Sequence, residues 1–240
     1  MPRAVICLPT YNELENLEPM VRALADVLDT SQDRVLVIDD ASPDGTGDFA
    51  DRLAAELPWV SVLHRERKEG LGPAYIAGFR QALADGAELV LELDCDFSHD
   101  PADVPRLIAA AGKADLVLGS RYAPGGGTEN WGFLRRFVSR GGCLYAQVLL
   151  GVRVRDLTGG FKCFGRGTLE AIDLDALSAR GYAFQIETTY RVLRAGLQVK
   201  EVPIRFVERR VGDSKMTGSI VAEAIWKVPV LRLRALAGRL

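Results

Sequence analysis

The chain has 240 residues, is 48% hydrophobic and carries 30 Lys and Arg against 32 Asp and Glu, which suits one sizeable core or one domain with an extension. Four cysteines without a Cys-x-x-Cys pair and only two histidines argue against zinc ligation, a disulfide framework and His-centred catalysis. No apolar run approaches the ~18 uncharged residues of a membrane span, and Met1-Pro2-Arg3 leads directly into a strand pattern with no secretory signal.

The elements follow in order. Ala4–Leu8 is a short buried strand ended by Pro9. Asn12 is placed to cap a helix reaching about Leu28, with Leu14, Leu17, Val21, Leu24 and Leu28 on its apolar face. Arg34–Ile38 is a second strand, closed by Asp39-Asp40; Asp44-Gly45-Thr46 opens a helix to about Leu57; Val60–Leu63 is a third strand. Gly70-Leu71-Gly72 leads into a helix through Ala84, Leu89–Leu93 is strand four and Asp115–Gly119 strand five. Continuous Val, Ile and Leu runs alternating with helices predict an α/β fold, a mostly parallel sheet covered on both faces. After the flexible Pro124–Gly127 segment come a helix over Phe133–Leu150, a strand with a glycine entry over Gly159–Phe164 and a helix over Phe184–Ala195. A strand over Val199–Ile204 and a basic helix over Ile220–Leu236, interrupted near Pro229, complete the chain.

Open parallel sheets bind ligands at the carboxyl ends of their strands. Pro9 to Asn12, Asp39-Asp40, Asp94-Cys95-Asp96 and Ser120-Arg121 all fall at such ends. Asp94 and Asp96 are one residue apart, and two adjacent carboxylates repel unless a cation lies between them. The spacing alone fits a hard divalent cation or a solvated acidic turn equally well; the strand-end position favours Mg²⁺ or Mn²⁺, ions that also hold substrate phosphates. Charge is unevenly spread: residues 1–120 hold 10 Lys and Arg against 22 Asp and Glu, and residues 121–240 hold 20 against 10. The basic half invites an anionic partner. Trp131, Trp226 and Phe133 are isolated in the sequence, so no aromatic-basic interleaving points to nucleic acid.

Leu8-Pro9-Thr10-Tyr11-Asn12-Glu13, then Val37 to Thr46, then Asp94-Cys95-Asp96 resemble the inverting glycosyltransferase family 2 with a GT-A fold. The narrower resemblance is to polyprenyl-phosphate (dolichyl-phosphate) mannose synthases. It rests on Gly70-Leu71-Gly72, Asp94 to Pro101, Gly119 to Tyr122, Arg135 to Gly141, Asp156 to Lys162 and Arg209 to Met216. It implies transfer of mannose from GDP-mannose to a polyprenyl monophosphate, with UDP-glucose as the rival donor and a non-catalytic nucleotide-sugar binder as the rival class. By resemblance, Pro9, Tyr11, Glu13 and Asp39 cradle the nucleotide, Asp94, Asp96 and Ser98 hold the metal, and Asp96, Arg121 and Arg135 are catalytic. Arg121, Arg135 and Ser139 grip the acceptor phosphate, Arg209 and Lys215 lie on a mobile basic loop over the donor diphosphate, and Gln185-Ile186-Glu187 resembles a sugar-facing segment.

The expected organisation is a catalytic domain over residues 1–218 and an amphipathic basic helix over residues 219–240. That helix, and the basic-apolar stretch Phe133-Leu134-Arg135-Arg136-Phe137-Val138, suit contact with a membrane holding the polyprenyl tail or with an integral-membrane protein. The expected location is the cytoplasmic face of a membrane, peripherally attached.

Overall fold

Alternation along β1 (Ala4–Thr10) sends Val5 and Cys7 to one apolar cluster and Ala4, Ile6 and Leu8 to another, because successive strand side chains point to opposite faces. Both clusters are buried, so the sheet is covered on both sides. A computed structural model describes residues 3–177, 181–208, 218–238 and 240. In chain order after β1 come α1 (Leu14–Ala25), β2 (Arg34–Asp39), α2 (Thr46–Glu56), β3 (Val60–His64), α3 (Leu71–Ala84) and β4 (Leu89–Glu92). Then follow α4 (Val104–Ala111), β5 (Leu116–Ser120), β6 (Gly127–Thr128), α5 (Phe133–Leu150), β7 (Lys162–Gly165) and α6 (Arg166–Ala171). The last elements are α7 (Gly181–Arg194), β8 (Val199–Pro203), β9 (Arg205–Phe206) and α8 (Gly218–Leu236).

The seven-stranded sheet has the order β3-β2-β1-β4-β7-β5-β8. Six strands are parallel and β7 runs antiparallel between β4 and β5, pairing Glu92 with Lys162 and Val117 with Cys163. The α/β expectation holds, and β7 accounts for the "mostly". Leu17, Met20 and Val21 of α1, with Leu53 of α2 and Leu107 of α4, fill one face. Tyr75 and Phe79 of α3, Phe184 of α7, and Val228 and Leu231 of α8 fill the other.

Four local expectations change. Asn12 does not cap α1: it sits at φ 56, and the helix-start amides are served from the neighbouring β2–α2 loop. The Glu13 amide donates to Thr46 Oγ1 at 3.1 Å and the Leu14 amide to Asp44 Oδ2 at 3.3 Å. β4 ends at Glu92 rather than Leu93, so Asp94 and Asp96 stand on a turn, and strand alternation no longer sets their relative direction. The strand expected from Gly159 begins at Lys162. Finally, α8 runs unbroken through Pro229. A proline removes the hydrogen bond to the carbonyl four residues back, and that carbonyl, Ile225 O, instead accepts from Tyr145 Oη of α5 at 2.9 Å. Among the described residues no helix is long and apolar enough to cross a membrane.

Candidate active site

The loops after β1, β2, β4 and β5 leave the carboxyl ends of these strands, where β1 and β2 run in register to Thr10 opposite Asp39. Half-buried Pro9 and buried Thr10 end β1, and Tyr11 follows, with Lys68 Nζ 3.6 Å from the centre of its ring. Glu13 is buried and accepts from Asn16 Nδ2 at 2.8 Å. Asp39 is also buried: Oδ2 accepts from the Ser42 amide at 3.2 Å, and among the described residues Oδ1 has no hydrogen-bond partner. A buried acceptor left unpaired costs free energy until a donor reaches it. Space beside it depends on Gly47, where a Cβ would stand 2.8 Å from Asp39 Oδ2. Asp40 turns away, taking Arg65 on one oxygen and the Glu69 and Gly70 amides, at 3.3 and 3.4 Å, on the other; it fixes a loop.

The acidic turn is held from below. Asp94 Oδ1 accepts from Tyr75 Oη at 3.0 Å, and Tyr75 is fully buried with its ring stacked on Phe79 and Phe184. Burial, then the charge of Asp94, pushes the Tyr75 phenol well above its ordinary pKa, so it stays a donor. Asp96 Oδ1 accepts from the Ser98 amide at 3.0 Å, and Ser98 is buried. Between them Phe97 takes φ 59, a left-handed conformation that costs a bulky residue roughly 1–2 kcal/mol and is found where function constrains the backbone.

No three His, Cys, Asp or Glu side chains cluster as a metal cage among the described residues. Two carboxylates, each with one oxygen fixed by a donor, fit a hard cation that takes its remaining oxygens from water and a diphosphate.

Beneath this turn lie Glu92 and Lys162, both fully buried and paired across β4 and β7. Lys162 Nζ donates to Gln185 O at 2.8 Å and Thr188 Oγ1 at 2.9 Å. Among the described residues neither Glu92 oxygen has a hydrogen-bond partner. Burial lifts its pKa to about 7 against the pull of Lys162, and burial lowers Lys162 to about 8. The Gln185 amide lies near enough to favour the Glu92 anion without meeting hydrogen-bond geometry. Glu187 faces inward and pairs with Arg191 at 3.1 Å, so it belongs to the core of α7.

On the basic side, Arg121 is buried rather than solvated. Asp156 takes its backbone amide at 2.9 Å, Nε at 2.7 Å and Nη2 at 2.6 Å, and Thr158 Oγ1 takes Nη2 at 2.8 Å. Burial opposes both charges, yet each partner overcomes it: Arg121 is held above its ordinary pKa and Asp156 below its own. Asp156 is fixed in turn because its amide donates to Glu201 Oε1 at 3.0 Å, and Ser120 Oγ donates to the same oxygen at 2.7 Å. The guanidinium lies 5.3–5.7 Å from the rings of Tyr122, Phe206 and Trp131. Arg135 stacks on Trp131 at 4.3 Å and pairs with Glu208 at 2.6 Å. Tyr122 Oη donates to Ser139 Oγ at 2.8 Å. Arg121, Arg135 and Ser139 therefore converge through two aromatic residues.

Trp131, isolated in sequence, is 5% exposed and links the two arginines. The planar fork expected of Arg121 for phosphate is occupied by Asp156. Arg209 and Lys215 lie outside the described residues.

His99 joins the two halves. It is buried and packed on Phe161 and Phe206, with Nδ1 unpartnered among the described residues. Burial lowers its pKa to about 4, while Asp96 pulls it up and Arg121 pushes it down. One neutral ring thus feels the acidic turn and the buried arginine together. No local pattern marks Tyr75, Trp131 or Phe206, whose roles rest on contacts distant along the chain, and Asp156 meets its partner, Arg121, 35 positions away.

Residues 5–173 match the family model described as glycosyl transferase family 2. The chain belongs to that family. It is 50% identical over 226 residues to an undecaprenyl-phosphate mannosyltransferase of Micrococcus luteus, covering 94% of this chain and 92% of the relative. It is 46% identical over 228 residues to a polyprenol monophosphomannose synthase of Mycolicibacterium smegmatis, covering 94% and 85%. Among solved structures, glucosyl-3-phosphoglycerate synthase from Mycobacterium tuberculosis with Mn²⁺, UDP-glucose and phosphoglyceric acid superposes with a TM-score of 0.68 at 21% identity, over 95% of this chain and 80% of that one. A mannosyltransferase from Pyrobaculum calidifontis with GDP-Man and Mn²⁺ gives 0.59 at 17% identity, over 99% and 74%. At these identities both support the GT-A-like fold alone.

Proposed function

We propose that this family 2 enzyme is a polyprenyl-phosphate mannosyltransferase that moves mannose from GDP-mannose to a polyprenyl monophosphate with inversion at the anomeric carbon. Two mannosyltransferases of that type, 50% and 46% identical along 94% of the chain, support the activity. The observation that carries the chemistry is the pairing of a carboxylate turn with buried and half-buried guanidinium groups about His99.

Asp39, with its unpartnered Oδ1, accepts hydrogen bonds from the nucleotide, and Pro9, Tyr11 and Glu13 shape the wall beside it. Asp94 and Asp96, with Ser98 beside them, hold Mg²⁺ or Mn²⁺, which when bound offsets charge on the diphosphate. The acceptor phosphate has a second pKa near 6, so at neutral pH it is largely a dianion and needs no general base. One of its oxygens attacks the anomeric carbon, the bond from that carbon to the diphosphate oxygen breaks, and GDP departs with the electron pair. Arg135 and Ser139 face this anion, while Arg121, fixed by Asp156, supplies an oriented positive field rather than a two-pronged grip. Arg209 and Lys215 complete the proposed donor site.

The polyprenyl tail must stay in a bilayer. On α5, Phe133, Phe137, Leu144 and Val148 are exposed at 83, 67, 59 and 72% and fall within one helical stripe. On α8, Trp226 and Leu233 are 76 and 66% exposed. This α5–α8 face supports peripheral attachment, on the bilayer or on an integral-membrane protein. The deciding experiment is a donor panel with purified protein, a divalent ion and short-chain polyprenyl phosphate. GDP-mannose should turn over fastest; faster turnover of UDP-glucose would overturn the donor assignment, and GDP binding without turnover of any donor would overturn catalysis.

A further inference from the structure

A second concave site lies where the C-terminal end of α5 meets α7 and α8. It is a cavity of about 410 Å³, lined by the guanidinium-bearing residues Arg153, Arg194 and Arg232 together with Tyr190. Leu150, at its wall, is fifteen residues along α5 from Arg135, or about 22 Å at 1.5 Å per residue, so the cavity is separate from the crevice. Among the described residues no carboxylate lines it and none of the three arginines has an ion pair. Arg232 is anchored, its Nη1 donating to Leu150 O at 3.3 Å and to Tyr190 Oη at 3.4 Å. Gly151, at φ 69, ends α5 and turns the chain out of its way.

Positive side chains near helix C-termini interact favourably with the terminal carbonyls. That accounts for Arg232 and for Arg194 in the last turn of α7. It does not account for Arg153 beyond α5, or for three like charges around a hollow with no acid to balance them. A concave, uncompensated cationic site concentrates the field that draws in an anion, and planar guanidinium groups suit phosphate oxygens. The cavity also borders apolar surface: Val148 on α5 is 72% exposed, and Leu236, one turn beyond Arg232, is 69% exposed. An apolar contact with a cationic hollow at its edge matches the layering of acyl chains below phosphate headgroups.

We propose that the Arg153–Arg194–Arg232 cavity binds the phosphate of an anionic lipid headgroup, a docking site distinct from the crevice that receives the acceptor. This rests on the reading that the α5–α8 face meets a bilayer.

The test uses the full chain and vesicles of phosphatidylcholine, alone or mixed with phosphatidylglycerol. Arg153→Gln with Arg194→Gln alters two exposed residues, so folding is not at stake. Arg140→Gln with Arg234→Gln removes the same charge outside the cavity. One basic residue near an anionic surface contributes roughly a factor of five in partitioning, and diffuse attraction would give both pairs the same loss. The cavity requires at least a further tenfold loss for the Arg153 and Arg194 pair on phosphatidylglycerol vesicles. It also requires unchanged binding to neutral vesicles and unchanged turnover of a short-chain acceptor.

Equal losses overturn the cavity while leaving bilayer docking intact. Failure of the wild-type chain to bind either vesicle overturns both. Saturable binding of inorganic phosphate that the cavity pair abolishes, accompanied by equal vesicle losses, would assign the hollow to a soluble phosphate and overturn the lipid source.

Discussion

Replacing Asp156 with Asn tests whether the arginine of the crevice is held by design or by chance. The carboxylate is fully buried, Arg121 is 5% exposed, and three hydrogen bonds of 2.6–2.9 Å join them. Asn offers one acceptor oxygen and places an NH₂ where the second acceptor stood, leaving a buried guanidinium without its counter-charge. Breaking one side of a buried pair costs about 3–5 kcal/mol. For a chain of this length each kcal/mol lowers the melting temperature by about 2–4 °C, giving an expected fall of about 6–20 °C.

The pH profile gives an independent reading. Asp156 has a pKa below the ordinary carboxylate value because Arg121 outweighs burial. The unfolded chain therefore binds the proton more readily, and the stability this group contributes is present above the unfolded pKa and lost as the pH falls through the folded one. Asp156→Asn should remove that acid-side loss, so the two proteins converge at low pH. The double variant Arg121→Met with Asp156→Leu should recover most of the stability, since packed apolar residues commonly replace a buried pair without penalty, and should be inactive for want of the Arg121 charge. Melting curves across pH and acceptor kinetics decide it. A single-variant loss below about 1 kcal/mol, or a double variant as unstable as the single, would refute the reasoning.

Asp96→Ala should keep the fold and lower kcat by about 10²–10³-fold, the usual loss for one electrostatic stabiliser; unfolding in circular dichroism would instead mark a structural residue. Tyr75→Phe keeps the ring stack and deletes only the bond to Asp94, so a titration with Mn²⁺ in the presence of GDP should weaken about 10–100-fold, and unchanged affinity would remove Tyr75 from the metal site. Arg135→Ala should raise the KM for polyprenyl phosphate with little effect on GDP-mannose, and the opposite split in initial-rate kinetics would reverse the assigned roles. Glu92, raised to about 7, folds preferentially as the acid, so its contribution is full below the unfolded value and lost as pH rises through about 7; Glu92→Gln should flatten chemical-denaturation stability between about pH 5 and 8, and an unchanged slope would contradict its preference for the protonated form.

Much of the fold was legible because buried parallel strands have a plain signature. Ala4–Leu8, Arg34–Ile38 and Leu89–Leu93 are runs dominated by Val, Ile and Leu, and each lies in the sheet close to its expected bounds. The antiparallel β7 was not legible: Lys162-Cys163-Phe164 shows no direction in its own sequence, and its place between β4 and β5 is set by pairing with residues some 45–75 positions away. Asn12 misled because capping depends on backbone angles, and the β2–α2 loop supplies Thr46 and Asp44 instead. Pro229 misled because a partner from another helix accepts the task of satisfying the carbonyl it frees.

The layered α/β class, the strand ends where polar residues gather and the carboxylate pair Asp94 and Asp96 follow from short-range periodicity and from residue type. It takes the folded arrangement to set Arg121 against Asp156, Trp131 between two arginines, Tyr75 under Asp94 and three arginines around a hollow at the far end of α5. Those relations join residues on different elements. Burial and charge act over ångströms in space, and no local pattern along the chain carries that distance.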